Sequence, residues 1–400
     1  MRPCASALFG VVALLSACSE GDHDGRPVAE VSDSASIRIV TYSHLDSSAA
    51  GIDVDSVPIF RVGWDDSGRL FDRIEDVTVL GSGEVAVSDG RGAQEVVILD
   101  RSGGVRAVLG GKGEGPGEFA GISRLVPWGG GLVAQDYMLA RATEYDGSDD
   151  VGTYSLPYLD HKAILGRAGD LFVLGPPLML VNGRRYPERW RRVAVTTSAP
   201  PFSAEDTVVV VDWDQSLEFN GRDPWASSGM AVFDGEHVIY GRGDRPELIW
   251  YGLDGVPTQI VRWSPPPMAV SDSAYSAFED YYLGLVGGGM SPQDTRDGME
   301  RMSEQHQGVA PYFDELFVDG GGTVWLGQFL RPEQRTEEFT RTYYLFSPNG
   351  ETLGTVLLSA ELRVRDITDD LVAGYELGRY NEPAAVAYRI NKAAPQPPGS

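Results

Sequence analysis

The sequence predicts an all-β fold, and three observations predict it: the turn-rich composition, a turn-then-strand cadence that recurs six times, and the spacing of that cadence. Forty-nine Gly and 25 Pro with 17 Tyr and 8 Trp among 400 residues suit many short strands joined by tight turns rather than long helices. The chain is globular in balance, 42% hydrophobic and 23% charged. Large all-β folds form single units of this length.

The cadence is a Gly- or Asp-rich turn followed by a short apolar strand. It reads GSG-EVAVSD from Gly81, GGG-LVAQDY from Gly129, RAGD-LFVLGP from Arg167, DGE-HVIYGR from Asp234, DGGGT-VWLGQF from Asp319 and TDD-LVAGYE from Thr368. Most copies carry a second strand some ten residues on, such as EVVILD, ELIWYG and TYYLFS. The strands start at 84, 132, 171, 237, 324 and 371, giving steps of 48, 39, 66, 87 and 47. Three steps match a four-stranded blade of about 40 to 50 residues. The long steps contain insertions, one around 187–206 and one at about 268–310. In the latter, SDSAYSAFEDYYLGLV and SPQDTRDGMERMSEQHQ have helical spacing, with Ser291 before Pro292 as N-cap and first turn. Four-stranded units repeated radially make a six-bladed β-propeller, with a small helical insertion between the fourth and fifth blades. Residues 36–391 are expected to form it and 392–400 a disordered tail. The last unit ends at AVAYRI without an outermost strand, so SIRIVTYS at 36–43 is expected to supply it and close the ring.

Between the first two units lies GGKGEGPGEF, residues 110–119. It is no phosphate cradle: Lys112 is followed by Gly113, no register gives G-x-G-x-x-G, and Glu114 and Glu118 repel an anion. Its glycines are expected to turn the chain from one outer strand to the next inner strand. Together with IRIVTYS and PYFDELFVDGGGTVWLG, the GEGPGEF element resembles TolB-like six-bladed propellers of the bacterial lipoprotein type, with NHL-like blades, over about residues 36–391.

The N-terminus begins with Met-Arg-Pro, continues as SALFGVVALL, an apolar run too short to span a bilayer, and ends in Leu15-Ser16-Ala17-Cys18. LSAC resembles the bacterial lipoprotein signal, which implies a signal peptide at 1–17 and a lipidated Cys18 anchored to a membrane, facing periplasm or exterior. Ser19 in place of Asp favours the outer membrane by the same resemblance. Residues 18–35 lack apolar periodicity and are expected to be a flexible tether. The only cysteines, Cys4 and Cys18, both lie in this region, so no disulfide braces the fold.

Fifty-eight acidic against 33 basic residues, a net charge of −25, make nucleic acid a poor partner. His23, His44, His161, His237 and His306 show no ligand spacing, which argues against the zinc of NHL-repeat lyases. Of the five asparagines, Asn182, Asn220, Asn349, Asn381 and Asn391, none falls at an inner-strand end, where six-bladed lactonases hold calcium. No G-x-S-x-G elbow occurs. No catalytic residue, cofactor or metal is therefore assigned. Asp89 and Asp136 each end the second strand of a unit, and Arg141 follows Asp136 at the D-x4-R spacing of NHL-like blades. These three are the candidate ligand-binding residues, a polar rim around the funnel mouth; the alternative is an Asp capping its turn and an Arg bridging blades. Trp250, Trp263 and Trp325 are expected to pack between blades. The expected function is a monomeric, lipid-anchored module that binds a protein, peptide or glycan without chemistry. The alternative is an exported hydrolase or lactonase using the axial pocket.

Overall fold

The computed structural model describes residues 27–63, 69–128, 130–145, 151–155, 162–165, 171–175, 192–197, 207–212, 225, 229–285, 291, 293, 297 and 309–392. Cys18 and the signal segment lie outside them, as does most of the second helical stretch around 291–308.

Among the described residues strands dominate, grouped in six sheets. The first sheet is β5 (Ile74–Val79), β6 (Val85–Asp89), β7 (Glu95–Leu99) and β8 (Val105–Gly110). The second is β9 (Ile122–Trp128), β10 (Gly131–Asp136), β11 (Arg141–Tyr145) and β12 (Val151–Ser155). The third is β13 (Lys162–Leu165), β14 (Leu171–Gly175), β15 (Arg192–Thr197) and β16 (Thr207–Asp212). The fourth holds β17 (Gly229–Phe233), β18 (His237–Arg242), β19 (Glu247–Gly252) and β20 (Pro257–Trp263), extended by β2 (Ile37–Tyr42) and β1 (Ala29–Ser34). The fifth is β21 (Phe313–Val318), β22 (Val324–Gln328), β23 (Thr340–Phe346) and β24 (Thr352–Ser359). The sixth is β25 (Arg363–Ile367), β26 (Leu371–Leu377) and β27 (Pro383–Lys392), completed by β3 (Ile52–Val54) and β4 (Phe60–Val62).

Each sheet meanders antiparallel from its first strand outward, and the first strands contact one another in a closed cycle: β5, β9, β13, β17, β21, β25 and back to β5. Both faces of a middle strand then press on neighbouring sheets. All five positions of β6 are buried for this reason, whereas the outer β8 alternates between half-buried and exposed positions. The core lies in the wedges between sheets. Val77, Val87, Ala373 and Ala385 fill the wedge between the sixth and first sheets. Trp250, Trp263, Phe313 and Phe346 fill that between the fourth and fifth, and Trp325, Tyr343, Val364 and Tyr388 that between the fifth and sixth. The three tryptophans pack between sheets as expected.

Ring closure comes from the N-terminus but not from the strand anticipated. β2 does not reach AVAYRI; it adds to the fourth sheet, parallel to β20, with Val40 opposite Val261. The outer edge of β27 is occupied by two short strands, β4 (Arg61 opposite Val386) and β3 (Asp53 opposite Asn391). Two three-residue strands satisfy the edge that one alternating strand was expected to fill. Residues 29–34, expected within the flexible tether, form β1 and pair with β2. This strand is almost wholly exposed, so it has no apolar face to announce it. Its turn is closed by Ala35 and Ser36 at φ 50° and 68°, without the Asn or Gly that usually marks such a hairpin.

The glycine-rich segment links the outer β8 to the inner β9, as expected. Gly110 lies at φ +82°, and a Cβ there would meet the Phe119 ring at 2.4 Å. The fully buried Phe119 explains why the turn takes this course.

Helix α1 (Asp272–Leu285) lies in the connection from β20 to β21, where the insertion was expected. The Ser271 hydroxyl accepts from the Ala274 N–H at 3.2 Å and caps it. Phe278 and Tyr275 pack on Trp225, with ring centroids 5.1 and 4.6 Å away.

Candidate functional site: a charged mouth on the axis

Because strands reverse at each turn, first strands begin and second strands end on one face of the ring. The loops that run from second to third strands, and from one sheet to the next, gather there. α1 belongs to this face, as does the helical turn Pro332–Gln334, and the two touch.

The expected site residues sit on this face. Asp136 accepts from the Ala120 N–H at 2.7 Å, Met138 at 2.9 Å and Leu139 at 3.0 Å. Asp89 accepts from the Asp72 and Arg73 N–H groups, both at 3.2 Å. Arg141 donates to the Glu114 and Gly115 carbonyls at 2.9 Å each and also to Glu118 O, tying the second sheet to its incoming linker. Tyr145 seconds it, its hydroxyl donating to Gly117 O at 3.0 Å, and burial pushes that phenol up to about 12. All three expected residues hold turns and linkers.

Other charged groups link the strands of the ring. Two carboxylates bridge adjacent sheets. Asp366 of β25 accepts from the Val79 N–H at 2.8 Å and the Thr78 hydroxyl at 2.9 Å, joining the sixth sheet to the first. Asp76 of β5 accepts from the Leu125 N–H at 2.9 Å and meets Arg124 at 3.3 Å, joining the first sheet to the second. Each spends a buried carboxylate on a backbone donor of the next strand round the ring.

Within the fifth sheet the pattern changes. Asp314 and Glu315 are adjacent at a β-bulge in β21, which turns both carboxylates the same way. Arg341 bridges them at 2.7 and 2.8 Å, and Arg335, just past the helical turn, meets Asp314 at 2.8 Å. Tyr343 donates to Glu315. Arg341 is 4% exposed, so its charge is held by these two carboxylates and not by water. Burial pushes Asp314 up to about 6, against the pull of Arg341 and with the push of Glu315. Burial works to lower Arg341, but Glu315 and Asp314 outweigh it and the guanidinium is raised. Burial, then Glu315, lifts Tyr343 well above the phenol range. Across the gap Arg61 donates from Nε to Glu376 at 2.9 Å, and Tyr388 donates to the same carboxylate.

β25 adds Arg363 and Arg365. Arg363 donates to Ala360 O at 3.0 Å and Arg335 O at 3.4 Å. Arg365 lies over the Tyr375 ring, 5.0 Å from its centroid, and donates to its hydroxyl at 3.2 Å. Sequence reading missed this cluster. The signal available was RVRD at 363–366, charged where a first strand of the repeat is expected to be apolar.

No family model and no curated protein matches this sequence. Solved structures do match. A Bacteroides fragilis protein described as exported superposes with a TM-score of 0.53 at 12% identity, covering 88% of this chain and 99% of its own. A Bacteroides vulgatus member of the DUF4221 family (TM-score 0.40, 9% identity, 86% of this chain and 99% of that one) is also similar. So is a Staphylococcus aureus virginiamycin B lyase, catalytically inactive and solved with quinupristin (0.39, 7%, 81% and 82%). At these identities likeness shows fold alone. With the radial antiparallel sheets it establishes the class: the chain is a β-propeller.

Proposed function

We propose that this chain is a six-bladed β-propeller of the TolB-like lipoprotein type, exported, anchored through a lipidated Cys18 to the outer membrane, and acting as a monomeric, non-catalytic module that binds a protein, peptide or glycan. The cyclic contact of the six first strands supports the blade count. The LSAC ending supports the anchor. One observation carries the binding reading: the helical insertion and the arginine-bearing strand starts share one face, so an exposed, chemically distinct surface surrounds the axial mouth. Replacing 270–308 with a short Gly/Ser linker should leave a folded propeller that no longer captures its partner from solubilised envelope. Undiminished capture would remove the loop face from the function. Cys18→Ser should abolish palmitate labelling; persistent labelling would remove the anchor.

A second reading, an exported hydrolase or lactonase, draws on Asp314, a first-strand carboxylate poised near 6 as a proton-transfer group would be. Lactone opening by purified protein, abolished in Asp314→Asn, would favour it. The binding reading expects no turnover and no effect of chelators on melting or capture.

A further inference from the structure

The first strands described with their side chains, β5, β9, β17, β21 and β25, carry three arginines: Arg124, Arg363 and Arg365. Arg124 has Asp76 at 3.3 Å. Arg363 and Arg365 have no carboxylate within ion-pair distance among the described residues. The nearby acids are committed elsewhere: Asp314 and Glu315 to Arg341 and Arg335, and Asp366 to the backbone and hydroxyl of the first sheet. Glu361 feels Arg363 only at longer range.

A guanidinium carries five N–H donors in a rigid fork. Arg363 uses its fork on two carbonyl oxygens and so gains no opposing charge. Burial, and behind it the like charge of Arg335, lowers its affinity for the proton. Arg365 spends one nitrogen on Tyr375, while its buried Nε has no acceptor among the described residues. The two are brought together by Tyr375, which is the cross-strand partner of Arg363 and the ring beneath Arg365. Both arginines are half-buried, so each keeps part of its surface open to solvent. In a chain of net charge −25, two cations without an ion-pair partner among the described residues stand two positions apart on a first strand.

We propose that Arg363 and Arg365, gathered around Tyr375, receive an oxyanion: a carboxylate or phosphate group carried by the ligand of the loop face. This rests on the binding-module reading and specifies its chemistry. The fork geometry suits two-oxygen recognition of either group. A neutral glycan without an acidic substituent gives these donors no charge to neutralise.

The test is calorimetric titration of the full chain, purified in detergent at constant ionic strength, with succinate, inorganic phosphate and chloride as separate probes. At least one oxyanion should bind more tightly than chloride, and comparing succinate with phosphate identifies the group. Arg363→Gln and Arg365→Gln should each weaken that binding by about tenfold or more. Arg106→Gln, which removes a surface partner of Glu84, should not. Arg363→Lys and Arg365→Lys keep the charge, so they serve if the Gln variants melt early; they should still bind more weakly because the fork is lost. Oxyanion binding no tighter than chloride, or equal binding by wild type and all four variants, overturns the proposal. Partner capture that free oxyanion does not compete and that survives both Gln substitutions overturns it too, while leaving the binding module standing. Oxyanion binding in a chain that still captures its partner without 270–308 supports the site and overturns the loop-face reading instead.

Discussion

Two regions of the same ring spend their carboxylates differently. Where the sixth sheet meets the first, and the first the second, one buried carboxylate reaches across to a backbone N–H of the next strand. Within the fifth sheet, two carboxylates of β21 are held by Arg341 and Tyr343 of β23 and by Arg335 of the connection between β22 and β23. A carboxylate on a backbone donor satisfies a group that is present whatever the side chain, so the staple is local and inexpensive. A carboxylate on a buried arginine depends on a second buried charge, so the cluster is only as stable as its charge balance. The difference separates a joint between sheets from a cluster inside one sheet whose charge state can respond to its surroundings.

The largest break should come from Arg341→Leu. It strands Asp314 and Glu315 without their shared cation, and loss of one partner of a buried pair costs about 3–5 kcal/mol. Denaturant unfolding checks it; a loss below about 1 kcal/mol would place this cluster with exposed ion pairs. Next comes Asp76→Ala, which leaves the Leu125 N–H without its acceptor and should cost about 1–3 kcal/mol. Asp366→Ala should cost less than a full charge deletion would suggest, because burial already raises that carboxyl and disfavours its ionised form.

A pH series sharpens the contrast. Asp314 holds its proton more tightly folded than unfolded, so the folded state binds more protons between about 4 and about 6. Its contribution to stability is greatest below the unfolded value and is lost as pH rises through about 6. Asp314→Asn should therefore flatten the stability profile over that window. Asp76→Ala should leave that slope in place. Smallest of all, Arg124→Gln should cost about 0.5 kcal/mol, since this arginine is partly exposed and Asp76 keeps its backbone donor.

The cadence of turns and strands was legible because it is local: Gly81 to Asp89 or Asp319 to Gln328 can be read within ten residues. The GEGPGEF linker was legible for the same reason. Asp136 was legible as a turn cap, for its partners Met138 and Leu139 are close neighbours in the chain. The charged mouth was not legible. Asp314, Arg341 and Arg363 come from three different strands, and only the folded ring brings them together. Apolar periodicity also assigns charged positions to solvent, yet the first strands of a ring turn theirs toward one another. The closing strands escaped for another reason. Ile52–Val54 and Phe60–Val62 are too short to show any alternation.

The N-terminal segment runs along the outside of three consecutive sheets. β2 lies on β20, Ala49 bridges to Thr355, and β3 and β4 lie on β27. Asn391 and Asp55, joined at 2.7 Å, are 336 residues apart in the chain. During synthesis β3 and β4 have no strand partner until β27 has been made. Closure is then a late step that brings distant parts of the chain together, the kind of step that slows folding. Until it occurs, the edge of β27 stays open to wrong neighbours. The time the chain spends unclosed, rather than the strength of any single sheet, sets its exposure to misassembly.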